Sequence, residues 1–116
     1  MTQERDLART PEPPYVAVVF TSVLVASPDG GDDAYWEADA ELGELVRSQP
    51  GFLGVESVFD PGRRCGITVS YWSSEEEAKA WKRVALHAAA QTAARDRWYS
   101  RYSVRVASVT RAYGYP

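Results

Sequence analysis

Cysteine and histidine each occur once in this 116-residue chain, and those two shortages remove several chemistries at the outset. A lone Cys65 excludes an internal disulfide and any multi-cysteine metal site, and it reads as a small residue early in a strand. One histidine and one cysteine cannot build a zinc site without carboxylates, and no His-x-x-x-His or Cys-x-x-Cys spacing occurs. No Gly-x-Gly-x-x-Gly or Walker-type loop is present to cradle a nucleotide. No Gly-x-Ser-x-Gly elbow is present to expose a nucleophilic serine. No stretch approaches the ~20 apolar residues of a membrane span. Positive charge is not in excess either: 13 Lys and Arg stand against 16 Asp and Glu, a net charge of -3. No global field therefore draws the chain to nucleic acid or acidic lipid. The proline-containing stretch Met1 to Pro14 has no apolar core of the signal-peptide kind, so a cytoplasmic, reduced setting is expected.

What remains is ordinary globular material, 45% hydrophobic and 25% charged, enough for one domain with one core. Residues 1–14 read as a flexible lead-in, because Pro11, Pro13 and Pro14 deny donors to regular structure. Residues 15–116 form the domain. Tyr15 to Val25 is apolar on both alternate faces and predicts a strand covered on both sides. Asp32 or Asp33 caps a helix whose buried stripe is Tyr35, Ala38, Leu42 and Leu45, stopped by Pro50-Gly51. Phe52 to Phe59 is a second strand, with Leu53, Val55 and Phe59 on one face and Phe52 and Val58 on the other. The turn Asp60-Pro61-Gly62-Arg63, with glycine free to take positive φ, returns the chain as Cys65 to Trp72. Ser74 with Glu77, or Ser73 with Glu76, matches a capping box. The alanine-rich helix it opens runs to about Trp98, with a break near His87. Tyr102 to Tyr113 is the last strand.

The order β-α-β-β-α-β is the α+β, ferredoxin-like split βαβ arrangement, an antiparallel sheet with helices on one face. Its strands are apolar on both faces, so a homodimer through the open sheet face is the economical expectation.

Three of the four tryptophans and the only histidine lie between Trp72 and Tyr102. His87, Gln91 and Arg95 recur every fourth residue, so they share a helix face, with Trp98 and Tyr99 a turn further on. Imidazole moves protons near neutral pH, and guanidinium holds a carboxylate or phenolate through two contacts. Each residue also has a plainer reading. His87 can mark a helix junction, Arg95 can pair with a carboxylate, and Trp81 reads first as core beside Ala78, Ala85 and Ala88. Trp98, Tyr99 and Tyr102 can pack the helix end against the last strand. Together the residues suit a planar aromatic or tetrapyrrole ligand selected by shape and stacking.

The chain resembles the antibiotic biosynthesis monooxygenase-like family of dimeric α+β barrels. The likeness rests on Pro50-Gly51-Phe52-Leu53-Gly54, Tyr71-Trp72-Ser73-Ser74-Glu75, Ala80-Trp81-Lys82, His87 with Ala90-Gln91, and Arg95 with Trp98-Tyr99. Tyr102 with Arg105-Val106-Ala107 and the final Arg111-Ala112-Tyr113 extend it, so it covers residues 15–113. It implies a homodimer with a pocket between each sheet and its helices. Some relatives oxygenate polycyclic phenols with O₂ and no cofactor; others bind haem through a histidine of the second helix and degrade it. The haem degraders carry an asparagine on the first strand, whereas this chain has no asparagine. Trp81 also precedes His87 by only six residues, closer than the corresponding tryptophan in those enzymes. Three readings follow. In a cofactor-free oxygenase, His87 and Arg95 are catalytic and Trp72, Trp81, Gln91, Trp98, Tyr99 and Tyr102 bind substrate. In a haem-binding protein, His87 is the axial ligand. In a non-catalytic dimeric binding protein, the same residues only pack.

Overall fold

The computed structural model describes residues 7–25, 33–90 and 98–116. Its elements are β1 (Tyr15–Leu24), α1 (Asp33–Val46), β2 (Phe52–Asp60), β3 (Cys65–Trp72), α2 (Glu75–Ala90) and β4 (Tyr99–Val109). They form one antiparallel sheet in the order β2-β3-β1-β4. The β-α-β-β-α-β, ferredoxin-like topology expected from the sequence is the one observed.

The core lies on the helix side of the sheet. Trp72 is its centre and fully buried, enclosed by Val46, Ala78, Val16, Val18, Phe52 and Trp81. Its indole is packed edge-on by Phe52 at 5.6 Å and stacked by Trp81 at 6.2 Å. The indole N–H donates to Ser70 Oγ at 2.9 Å, so burial of the ring leaves no polar group unsatisfied.

Local chemistry sets the frame around this core. Ser74 is the N-cap of α2: Glu77 N–H donates to Ser74 Oγ at 3.3 Å, and the Ser74 and Ser73 hydroxyls both donate to Glu77 Oε1. The Glu77 side chain lies over Gly51, where a Cβ would come within 2.2 Å of it. Gly51 also has φ of 81°, so both space and backbone require glycine there. Its carbonyl accepts from Ser73 N–H at 2.9 Å, which ties the start of β2 to the start of α2.

Four details differ from the sequence expectation. The stripe of α1 is Tyr35, Ala38, Asp39, Leu42 and Val46, so the expected residues hold except Leu45, which is 37% exposed and yields its place to Val46. The pairing of β2 with β3 shifts between Phe52 and Gly54, and this bulge puts Phe52 on the same face as Val55 and Phe59. In the turn, Arg64 rather than Gly62 takes positive φ, at 52°. There the Arg64 carbonyl accepts from Leu24 N–H and its guanidinium donates to the Val25 carbonyl. β4 begins three residues early and stops at Val109, because Val109 pairs with Tyr15 and the prolines before Tyr15 offer no donors. The stretch after Ala90 that was expected to continue the second helix lies outside the described residues.

On the opposite, open face, residues 7–10 run across one end of the sheet. Ala8 N–H donates to Glu56 Oε2 at 3.0 Å, and Tyr71 O–H donates to Glu56 Oε1 at 2.6 Å. Thr10 donates to the Tyr15 hydroxyl at 2.9 Å. Burial, followed by the contact with Glu56, raises the Tyr71 phenol above its ordinary range. Farther along this face the paired Val58 and Ile67 are 57% and 42% exposed, while β4 brings Arg101, Ser103 and Arg105 to it.

Candidate functional site

A second aromatic centre lies on the helix side, toward β4. Tyr35, the first residue of the α1 stripe, is buried and meets Trp36, Trp98 and Tyr99 edge-on, with ring centres 4.7, 5.4 and 5.8 Å away. Phe20 of β1 packs against Tyr99 at 5.6 Å and stacks on Tyr102 at 5.5 Å. Trp36 leans on Phe59 of β2 at 5.0 Å. Tyr99 begins β4 because Val25 N–H donates to the Trp98 carbonyl at 2.8 Å, which pins the strand entry beside the end of β1.

Unlike the core, this centre holds polar groups. The hydroxyls of Tyr99 and Tyr35 are hydrogen bonded at 3.3 Å. Asp39 follows Tyr35 by one helical turn, and its charge acts on both hydroxyls. Burial pushes Tyr35 well above its ordinary range, reinforced by the hydrogen bond to Tyr99. Burial likewise raises Tyr99, against the opposing effect of the Tyr35 hydrogen bond. It also raises the Asp39 carboxyl. α2 packs on β1 and β3, while Tyr102, Val104 and Val106 pair with Ser22, Phe20 and Val18 and stand 61%, 50% and 54% exposed. Paired residues share a face, so an apolar strip of β4 on the helix side adjoins the hydroxyl pair. A separate open groove of about 280 Å³, lined by Thr21, Val23, Arg101, Tyr102 and Ser103, shares only Tyr102 with it.

The residues singled out from sequence divide among these places. Trp72 and Trp81 belong to the core. Trp98, Tyr99 and Tyr102 come together at the second centre. His87 is exposed near the end of α2 and makes a contact of its own. Gln91 and Arg95 lie outside the described residues. Sequence reasoning missed Phe20, Trp36 and Asp39 as members of this centre and had assigned Tyr35 only to packing. The available signal was Asp39, an acid at i+4 from Tyr35 within an otherwise apolar stripe. Among the described residues no group of three or more His, Cys, Asp or Glu side chains could hold a metal ion. No helix among them is long and apolar enough to cross a membrane.

Fold and site together define a small ferredoxin-like domain with an aromatic, hydroxyl-bearing cluster on its helix side. The sequence profile of the antibiotic biosynthesis monooxygenase family matches residues 20–93, and the chain belongs to that family. It is 47% identical over 105 residues to YqjZ, an uncharacterized protein of Bacillus subtilis, an alignment covering 90% of this chain and 88% of YqjZ. The fold is shared with SnoaB, a cofactor-independent oxygenase from Streptomyces nogalater. That likeness has a TM-score of 0.66 at 12% identity and covers 86% of this chain and 97% of SnoaB. Rv0793 from Mycobacterium tuberculosis is similar to the same extent, with a TM-score of 0.68 at 14% identity over 86% of this chain and 99% of Rv0793.

Proposed function

We propose that this protein is a small monooxygenase that acts on a polycyclic aromatic molecule without a resident cofactor, working as a homodimer. The carrying observation is the Phe20–Tyr35–Trp98–Tyr99–Tyr102 centre, with its paired hydroxyls beside the exposed strip of β4. Offset and edge-on rings recognise a planar ligand by stacking, and a few fixed polar groups orient it. Family membership and the shared fold of a cofactor-independent oxygenase support the reaction class. In such chemistry the ionised substrate supplies the electrons to O₂. The protein's tasks are then to hold the rings, favour the ionised form and keep water away.

In this reading Trp98, Tyr99 and Tyr102 form the walls and Trp72 and Trp81 support them from the core; Arg95 and Gln91, outside the described residues, keep the catalytic and substrate-binding roles suggested by the sequence. His87 stands exposed near the end of α2, so the aromatic centre rather than the imidazole carries this reading. The homodimer uses the open face, where Val58, Ile67 and their neighbours form an apolar surface suited to a second copy.

The test is O₂ consumption by metal-free protein supplied with a reduced polycyclic phenol of the anthrone type. Turnover should fall at least tenfold in Tyr102→Ala and in Arg95→Ala. Absence of O₂ uptake across a panel of such phenols would refute the reading. A Soret band on adding hemin, abolished in His87→Ala, would establish the haem alternative instead.

A further inference from the structure

We propose that residues 7–10 form a releasable strap that closes one end of the open sheet face, and that its release widens the surface on which a second copy of this chain docks. The identity of the partner rests on the homodimer reading. Exposure alternates along the strap: Ala8 and Thr10 are half-buried against the sheet, while Leu7 and Arg9 are exposed. Ala8 N–H donates to Glu56 Oε2 at 3.0 Å, and the Thr10 hydroxyl donates to that of Tyr15 at 2.9 Å. Gly54 completes the seat. A Cβ there would stand 2.9 Å from the Ala8 Cβ, so a larger residue at 54 would displace the strap. The Tyr71 hydroxyl holds the Glu56 carboxylate in place at 2.6 Å, and the Tyr71 ring meets Tyr15 edge-on at 5.9 Å.

The strap is fastened lightly. Among the described residues no backbone hydrogen bond joins it to a strand, whereas every strand beneath it is held in a ladder. Segments fixed by a few side-chain contacts open locally without unfolding the rest of the domain. What lies under it continues the docking surface. Strand alternation puts Tyr15 and Val19 on one face of β1, and pairing sets Val69 beside Val19 and Val58 beside Ile67. Tyr15 is only 6% exposed although the helices lie on the opposite face, while Val58 and Ile67 at the uncovered end stand 57% and 42% exposed. Release therefore joins the Tyr15 and Tyr71 rings to the valine and isoleucine row. Association is driven by apolar area taken out of water, so the longer patch holds a second copy more tightly. The seated strap also stands between the two sheets, which pack face to face at about 10 Å only where nothing intervenes. It acts as an autoinhibitory contact on dimerisation.

Two variants of the full chain loosen the strap. Ala8→Pro removes the N–H donor and leaves the sheet face unchanged. Glu56→Ala removes the acceptor and leaves the sequence around Arg9 unchanged. Limited trypsin digestion read by mass spectrometry follows cleavage of the Arg9–Thr10 bond, which requires the strap to open. Cleavage should be at least tenfold faster in Glu56→Ala than in the wild type. Sedimentation across a concentration series should show both variants dimerising at least tenfold more tightly. Adding Val58→Asp with Ile67→Asp should cancel that gain. Thermal melts confirm folding, and Ala8→Pro, which lies outside every helix and strand, decides the matter should Glu56→Ala fail to fold. Unchanged cleavage in folded Glu56→Ala, or a weaker dimer in Ala8→Pro, would overturn the strap. A dimeric wild type with the same dissociation constant in Ala8→Pro leaves the homodimer standing and removes the strap. A monomeric wild type whose variants dimerise removes the wild-type homodimer and supports the strap. Monomers throughout remove both.

Discussion

The sheet carries two aromatic centres on one face, and they are built to different rules. Around Trp72 every ring is backed by aliphatic or aromatic carbon, and the one polar atom of that indole bonds to Ser70. Around Tyr35 the rings bring hydroxyls, a half-buried acid lies one turn away, and the neighbouring strip of β4 stays exposed. The first arrangement maximises burial of apolar surface. The second gives up part of that burial and keeps polar groups beside an exposed apolar strip, the feature on which the proposed function builds.

This contrast can be broken by substitution. Trp72→Ala should be the most damaging change, destabilising the fold by about 3–5 kcal/mol through cavity formation. Chemical denaturation measures this, and a loss near zero would remove Trp72 from the core. Tyr102→Ala should cost no more than about 1 kcal/mol, because the ring is largely exposed. The same change should abolish polycycle binding, so that the two centres separate stability from ligand affinity. On the other face of the sheet, Val58→Asp with Ile67→Asp should convert a dimer to a monomer, read by light scattering. An unchanged mass would reject that interface.

Smaller effects sharpen the picture. Ser74→Ala should cost about 1 kcal/mol by removing the cap of α2. Asp39 is raised in the folded state, so its ionisation opposes folding. Asp39→Asn should therefore raise the melting temperature at neutral pH. That gain should shrink as pH falls through the raised value and vanish below the ordinary carboxylate range near 3.9, where Asp39 is neutral in both states. A gain that persists at low pH would point to packing rather than charge.

Much of this was legible before any coordinates. The capping serines, the turn at Asp60-Pro61-Gly62, the alternating strands and the order of elements depend on near neighbours, and local chemistry announces them. Trp98, Tyr99 and Tyr102 were grouped correctly because they are close in sequence. Phe20, Tyr35 and Asp39 were not, since they join that group only through pairing of β1 with β4 and docking of α1. The β2 bulge and the left-handed Arg64 were equally hidden, because each is set by contacts across strands.

Taken alone, then, the sequence determined the family, the ferredoxin-like order and the absence of disulfide and zinc-finger chemistry. The order and the exclusions follow from composition, period and short spacings, and the family from the resemblance of its motifs. Tertiary structure alone decided that Trp72 is fully buried while Tyr102 stands 61% exposed, and that an acid in the α1 stripe lies one turn from a hydroxyl pair. Which large ring is buried depends on packing between distant segments, and no short spacing records that.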